Sequence, residues 1–206
     1  KVMSTLMPYV DVVIANEEDA EKVFGITASG TNVTGGHLSD DGYKDVCKQL
    51  VAKFGFKKVA ITLRESISAS ANNWSALLYD GTEFYKSKRY EMTVIDRVGG
   101  GDSFGGGLIY GLLSGYSMQD TIEFAVAASC LKHSIEGDLN LVSVDEVKTL
   151  AKGDGSGRVQ RSGEKNSCLY RQGLLVGMIF GPKKVILIVD VNKIVKDIAA
   201  ALKCLK

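Results

Sequence analysis

The spacing of apolar and polar residues changes along the chain between the period of a strand and the period of a helix. The predicted strands span residues 11–15, 58–63, 75–80 and 82–90, the last two forming a hairpin that turns at Asp80-Gly81. The predicted helices span residues 17–23, 42–54, 104–115, 121–134 and 144–151. Because strands and helices alternate, the pattern predicts an α/β layered fold.

The character of the chain changes after residue 153, where a run of glycine, serine and aspartate begins. The segment that follows this run is an extension of unknown origin. The extension carries an apolar run at 174–180, a strand-like run at 184–191 and an amphipathic helical pattern from residue 192. It fits the start of a further domain, an altered reading frame, or an added strand and helix.

Charge and cysteine usage exclude several classes of protein. The 206 residues hold 25 basic and 24 acidic side chains, so the net charge of +1 gives no electrostatic reason to bind nucleic acid or an anionic membrane. The apolar runs are too short to cross a bilayer. The four cysteines lie far apart, which argues against a zinc ribbon and favours reduced thiols. We expect a cytoplasmic protein whose partners are small molecules.

Three glycines followed by an aspartate, residues 99–102, stand between an apolar strand and an apolar helix. Glycines let the backbone approach an anion closely, and a helix N-terminus adds partial positive charge. Asp102 would lie beside a bound phosphate, as a base or as a helix cap. Phe104 stands where a dinucleotide fingerprint needs glycine, and no G-x-x-x-x-G-K-[ST] occurs.

Three further glycines, residues 105–107, lie inside the following helix, where each costs about 1 kcal/mol relative to alanine. We attribute them to close packing of that helix. Two isolated histidines, His37 and His133, lack metal-ligand spacing, and we expect neither to be catalytic.

The run D-R-V-G-G-G-D-S-F, residues 96–104, resembles the D-T-x-G-A-G-D signature of the ribokinase-like sugar kinases, and most closely the 2-keto-3-deoxygluconate kinases. The supporting segments follow the order of that family and comprise residues 14–21, 61–66, 74–81 and 124–133. The resemblance covers the chain from residue 1 to about residue 161, which implies a ribokinase-like part at residues 1–161 and an extension of unknown origin at residues 162–206.

The resemblance implies transfer of the γ-phosphate of ATP to the terminal hydroxyl of 2-keto-3-deoxygluconate, a sugar acid. It implies that Asp102 is the catalytic base, which takes the proton from that hydroxyl. The backbone N–H groups of Gly99, Gly100 and Gly101 would form an anion hole for the γ-phosphate.

Asn16 and Asp19 resemble the N-x-x-E motif with which the family helps to hold Mg²⁺. A carboxamide and a carboxylate suit Mg²⁺, which prefers oxygen ligands and keeps several waters. Asp19 replaces the usual Glu and stands next to Glu17 and Glu18. Which of these three carboxylates would bind the metal therefore stays open. An acidic first turn that only complements the helix dipole is the alternative.

Other positions match the family in part. Thr62 and Arg64 fall where the family lines the nucleotide phosphates, although Arg64 replaces a glycine, and a surface cation is the alternative interpretation. Ser129 matches the helix beside the adenine pocket. Asp96 falls where the family often holds a monovalent cation with a carboxylate and backbone carbonyls. Arg97 replaces the usual Thr, so whether a cation binds there stays open.

The implied fold is the C-terminal half of the ribokinase-like sheet with its flanking helices, with the N-terminal half and the lid absent. Because the absent half holds most of the sugar-acid pocket in the family, we expect little or no activity from this chain alone. A sheet cut at that point would expose an edge, which favours association into a homo-oligomer. The alternatives are a non-catalytic nucleotide-binding module and a sugar or nucleoside kinase of other specificity.

Overall fold

A computed structural model describes residues 2–27, 40–68, 70–153 and 186–189. The helices are α1 (Val2–Leu6), α2 (Glu17–Phe24), α3 (Asp40–Phe54), α4 (Gly100–Leu113), α5 (Met118–Lys132) and α6 (Val144–Ala151), with a short 3-10 helix at Met7–Tyr9. The strands are β1 (Val10–Ala15), β2 (Lys58–Ser66), β3 (Ala71–Tyr79), β4 (Phe84–Lys86), β5 (Tyr90–Thr93) and β6 (Ile186–Val189). The predicted α/β fold is therefore confirmed.

The described residues belong to two compact units. The first holds residues 1–61, residues 79–84 and β6, and the second holds residues 62–78 and the chain from residue 85 to the end of α6. None of the helices in the described part of the chain could span a lipid bilayer.

The core strand of the first unit is β1. It pairs in parallel with β2, from Val12 opposite Lys58 to Ala15 opposite Ile61. It pairs on its other edge with β6 in antiparallel fashion, so the sheet is mixed. All of its residues except Asp11 are buried, as expected for an apolar strand that is covered on both faces.

Helix α2, the first after β1, begins and ends at the capping residues that the sequence predicts. Asn16 caps α2, and Gly25 follows its last turn. Helix α3 then places Phe54 against Phe24, with ring centroids 4.9 Å apart. The ammonium group of Lys53 donates to the Phe24 carbonyl at 2.8 Å, which ties the ends of α2 and α3 together.

The predicted hairpin forms, but its return strand is broken into β4 and β5. The turn at Asp80 is present, since one carboxylate oxygen accepts hydrogen bonds from the backbone N–H groups of Thr82 and Glu83. The break falls at Ser87, whose hydroxyl accepts from the Ala76 N–H at 2.9 Å and donates to the Lys88 carbonyl. A side-chain hydroxyl thus replaces a backbone group in the hydrogen-bond ladder at this point. The prediction of one continuous strand over residues 82–90 was therefore wrong.

The second unit is built on the close approach of α4 and α5. A Cβ on Gly107 would lie 2.9 Å from the Ala125 Cα, and one on Gly111 would lie 2.9 Å from the Thr121 side chain. Close packing is therefore the reason for Gly107, as predicted. It is not the reason for Gly106, where a Cβ would meet no atom within 4 Å.

The remaining boundaries differ in detail. Helix α5 begins at Met118, three residues before the predicted start, because the Ser117 hydroxyl accepts from the Asp120 N–H and caps it. Helix α6 and the centre of the predicted strand at 184–191 are confirmed. The apolar run at 174–180, the helix from residue 192 and the boundary at residue 161 lie outside the described residues.

Candidate functional site: the glycine turn before helix α4

The glycine run forms the turn that begins α4. Any other residue in place of Gly99, the first glycine of the run, would strain the backbone. Gly99 caps the helix in the left-handed region, with φ +79° and ψ −5°. A Cβ there would lie 2.5 Å from the Asp138 carbonyl oxygen and 3.1 Å from the Lys132 Cε. Both the backbone conformation and the space therefore demand glycine.

Gly100, the second glycine, packs against the C-terminal end of α5. A Cβ on Gly100 would overlap the His133 imidazole and lie 2.6 Å from its Nε2. The Ser129 hydroxyl donates to the Gly100 carbonyl at 2.8 Å. Gly100 is therefore a packing residue, and a large ring fills the space that an alanine would need.

The third glycine is different, because it borders open space. A Cβ on Gly101 would meet no heavy atom within 4 Å, and both Gly101 and its neighbour Asp102 are half-buried. The first turn of a helix carries N–H groups without intrahelical acceptors and the positive end of the helix dipole. The turn can thus accept an anion at Gly101, with the Asp102 carboxylate directly beside it in the chain.

Asp96 braces the same turn. One of its carboxylate oxygens accepts from the Val98 N–H at 2.9 Å and the other from the Gly137 N–H at 2.8 Å. These two hydrogen bonds lower the pKa of Asp96, and the charge of Lys132 lowers it further. Asp96 is therefore ionised at neutral pH and ties the turn to the segment after α5.

His133 and Lys132, which the sequence analysis did not select, lie directly beneath the turn. The His133 Nδ1 donates to the Ser129 carbonyl at 2.7 Å, and its own carbonyl accepts from the N–H groups of Ile95 and Asp96. The only signal in the sequence was two adjacent polar residues at the end of an apolar helix, where buried polar side chains are uncommon.

Positive charge surrounds His133. Burial lowers the pKa of the imidazole, and the charges of Lys132, Arg97 and Arg64 lower it further, although the bond to Ser129 opposes this. Arg64 is thus near enough to the turn to act on it electrostatically. Thr62, on the same strand, is half-buried.

Ser129, predicted to lie on the helix beside the adenine pocket, is a buried residue of α5. Its side chain has no exposed surface, and its hydroxyl is engaged by the Gly100 carbonyl. Ser129 therefore positions the turn.

Asn16 and Asp19, the predicted magnesium residues, lie in the first unit and form a capping box. The Asn16 side-chain oxygen accepts from the Asp19 N–H at 2.8 Å, and an Asp19 carboxylate oxygen accepts from the Asn16 N–H at 3.3 Å. Asp19 is buried. The side chains of Glu17 and Glu18 lie outside what the structure describes.

The donor chemistry of Asn16 and Asp19 fits Mg²⁺. Within the described part of the chain, no three His, Cys, Asp or Glu side chains form a ready-made metal cage. Mg²⁺ does not need one, since it is commonly held by one or two carboxylates together with waters and substrate phosphates. Oxygen atoms can accept more than one contact, so the capping bonds are compatible with a metal-bound water.

Comparison with known proteins matches this arrangement to one family. The family model for pfkB family carbohydrate kinases matches residues 1–142. The crystal structure of a 2-dehydro-3-deoxygluconokinase from Thermotoga maritima is 49% identical, with a TM-score of 0.68, and the match covers 74% of this chain and 44% of that chain. A PfkB family carbohydrate kinase from Listeria grayi is 32% identical, with a TM-score of 0.62 and coverage of 73% and 43%.

A curated relative, the 2-dehydro-3-deoxygalactonokinase of Haloferax volcanii, is 27% identical over 74% of this chain and 42% of its own length. The chain thus spans less than half the length of these relatives. The matches confirm the resemblance that the glycine run indicated.

Proposed function

Because the chain belongs to the pfkB family of carbohydrate kinases, we propose that its glycine turn binds the phosphates of ATP and serves phosphoryl transfer to a sugar acid. The observation that carries the proposal is the open space at Gly101, at the positive end of α4, next to Asp102. The basic side chains of Arg64, Arg97 and Lys132, which act electrostatically on His133 beside the turn, favour an anion there.

The proposed substrate is 2-keto-3-deoxygluconate, also called 2-dehydro-3-deoxygluconate, phosphorylated on its terminal hydroxyl to the 6-phosphate. The support is the 49% identity to the Thermotoga maritima kinase of that name. A kinase acting on another sugar is the second candidate, because the Haloferax volcanii relative is named for the galactonate sugar instead.

In the proposed reaction Asp102 accepts the proton of the sugar hydroxyl as its oxygen forms a bond to the γ-phosphorus and the bond to the ADP oxygen breaks. The N–H groups at the start of α4 face the phosphoryl oxygens and stabilise their charge. Asn16 and Asp19 would hold Mg²⁺, which neutralises phosphate charge. Thr62 and Arg64 would lie along the phosphates, and Asp96 keeps the turn in shape.

Nucleotide binding is tested with Gly101→Ala, compared with Gly106→Ala as a matched control. Both positions lie in α4 and have room for a Cβ, so both variants should fold and gain up to about 1 kcal/mol of stability from helix propensity. Only the first places a methyl group in the proposed phosphate site. By calorimetry with Mg²⁺ and ATP, we expect Gly101→Ala to bind about tenfold more weakly or worse and Gly106→Ala to bind normally. Equal affinities would refute the site.

The role of Asp102 is tested with the substitution that corresponds to Asp102→Asn in a full-length relative, in a kinase assay with 2-keto-3-deoxygluconate, ATP and Mg²⁺. The amide cannot accept the hydroxyl proton, so we expect turnover to be lost while ATP affinity stays nearly unchanged. Loss of ATP binding with unchanged turnover would contradict the role of base. Ribose and 2-keto-3-deoxygalactonate, tested as competing acceptors, decide between the two candidate specificities. Calorimetry of this chain with ATP separates a nucleotide-binding module, which binds, from an inert fragment, which does not.

A further inference from the structure

Two residues near the C-terminal end of α5, Ser129 and His133, hold the backbone of Gly100. The Ser129 hydroxyl donates to the Gly100 carbonyl at 2.8 Å. The His133 ring lies against the same glycine, since a Cβ on Gly100 would be 2.6 Å from its Nε2. The two residues are also joined, because the His133 Nδ1 donates to the Ser129 carbonyl at 2.7 Å. Both are buried, so these hydrogen bonds are shielded from water.

The hydrogen bond from Ser129 also fixes the direction of the next backbone N–H group. The carbonyl and the N–H of a trans peptide group lie in one plane and point in opposite directions. The peptide group between Gly100 and Gly101 turns its carbonyl towards Ser129 on α5, so the Gly101 N–H points away from Ser129. This N–H belongs to the first turn of α4, where a helix provides no intrahelical acceptor.

The other contacts of His133 restrain the glycine turn further. Its carbonyl accepts from the Ile95 N–H at 2.9 Å and from the Asp96 N–H at 3.2 Å, which fixes the chain just before the turn. Its ring packs against Trp74 of β3, with ring centroids 5.4 Å apart. Gly100 therefore cannot shift towards α5 without displacing a ring that is itself held in place.

We propose that Ser129 is a positioning residue for phosphoryl transfer, whose hydroxyl acts through the Gly100 carbonyl to orient the Gly101 N–H towards the γ-phosphate of ATP. This role rests on the proposed function, in which the N–H groups at the start of α4 stabilise the phosphoryl charge. Since ADP has no γ-phosphate, the role of Ser129 concerns ATP alone. A contact with adenine, predicted for this helix from the sequence, would act on ATP and ADP alike.

The positioning role is tested with Ser129→Ala, which removes the hydroxyl and keeps a residue of high helix propensity. The affinities for ATP and for ADP are measured by calorimetry in the presence of Mg²⁺. We expect ATP to bind about tenfold more weakly than to the wild type, the equivalent of about one hydrogen bond, and ADP to bind normally. Equal weakening of ATP and ADP, or an unchanged affinity for ATP, would overturn the proposal.

Ser134→Ala is the matched control. The Ser134 hydroxyl also donates to a backbone carbonyl, that of Leu131 at 2.7 Å, but the residue is exposed and follows the end of α5. We expect this variant to bind both nucleotides normally, and a loss of ATP affinity equal to that of Ser129→Ala would overturn the proposal. The fluorescence of Trp74, the single tryptophan of the chain and a buried residue, shows whether each variant is folded.

Ser129→Cys keeps the experiment decisive if the alanine variant does not fold. Its thiol fills the site but is a weak donor, so we expect the ATP affinity to fall and the ADP affinity to stay unchanged. An ATP affinity equal to that of the wild type would overturn the proposal. If the wild type binds no ATP, the proposed function fails and the positioning role fails with it. If the wild type binds ATP and the Ser129 variants lose ADP affinity to the same extent, only the positioning role fails.

Discussion

Replacing Gly100 by alanine would restore the residue found in the D-T-x-G-A-G-D signature, yet we expect it to destabilise this protein. The new Cβ would overlap the His133 imidazole, whose Nε2 is 2.6 Å away. The ring cannot easily move, because it is buried and its Nδ1 is bonded to the Ser129 carbonyl at 2.7 Å. The ring also packs against Trp74, with centroids 5.4 Å apart.

The expected magnitude combines two opposing effects. Alanine gains about 1 kcal/mol over glycine in a helix interior, and less in the first turn. Overpacking a rigid site costs about 1–3 kcal/mol or somewhat more. We therefore expect Gly100→Ala to lower the free energy of unfolding by about 1–2 kcal/mol. Each kcal/mol lowers the unfolding midpoint of a chain of this length by roughly 2–4 °C.

The assay is a double-mutant cycle with His133→Ala, measured by urea and thermal unfolding. His133→Ala alone should be destabilising, since it leaves a cavity and removes the hydrogen bond to Ser129. In that background Gly100→Ala has room and should be neutral or stabilising. The coupling free energy should reach about 1–3 kcal/mol. Additive effects, or a Gly100→Ala variant as stable as the wild type, would refute the overlap argument.

Three further predictions concern packing and ionisation. Burial lowers the pKa of His133 below its ordinary 6.5, so the unfolded chain binds the proton more readily than the folded one. The free energy of unfolding should therefore fall as the pH drops below about 6.5. His133→Asn, which keeps an amide donor, should flatten that pH dependence when it is measured by thermal unfolding. Burial raises the pKa of Cys47 and Cys130 to about 12. Mass spectrometry should therefore find both thiols unalkylated by iodoacetamide until the protein unfolds. Rapid alkylation of either thiol in the folded protein would contradict its burial. Gly107→Ala should lower the free energy of unfolding by about 1–3 kcal/mol, whereas Gly106→Ala should raise it slightly; equal stabilities would disprove the close approach of α4 and α5.

The elements that could be predicted from sequence are those whose signals lie within a few residues of each other. Strand β1, the capped start of α2 and the turn at Asp80 are confirmed because an apolar run, a cap and an Asp-Gly pair each act locally. The broken return strand at Ser87 could not be predicted, since its hydroxyl takes a backbone partner on β3, 11 positions away.

At the candidate site, the residue types and their order were enough to predict a glycine turn, a carboxylate beside it and the family to which the chain belongs. The part that each glycine plays depends on contacts between helices, which the sequence pattern does not contain. The contact between Ser129 and Gly100 joins residues 29 positions apart, and it exists because α5 folds onto α4. The same docking brings His133 under Gly100 and Lys132 under Gly99, and leaves Gly101 open. Three identical residues in the sequence thus differ in role because their distant neighbours differ.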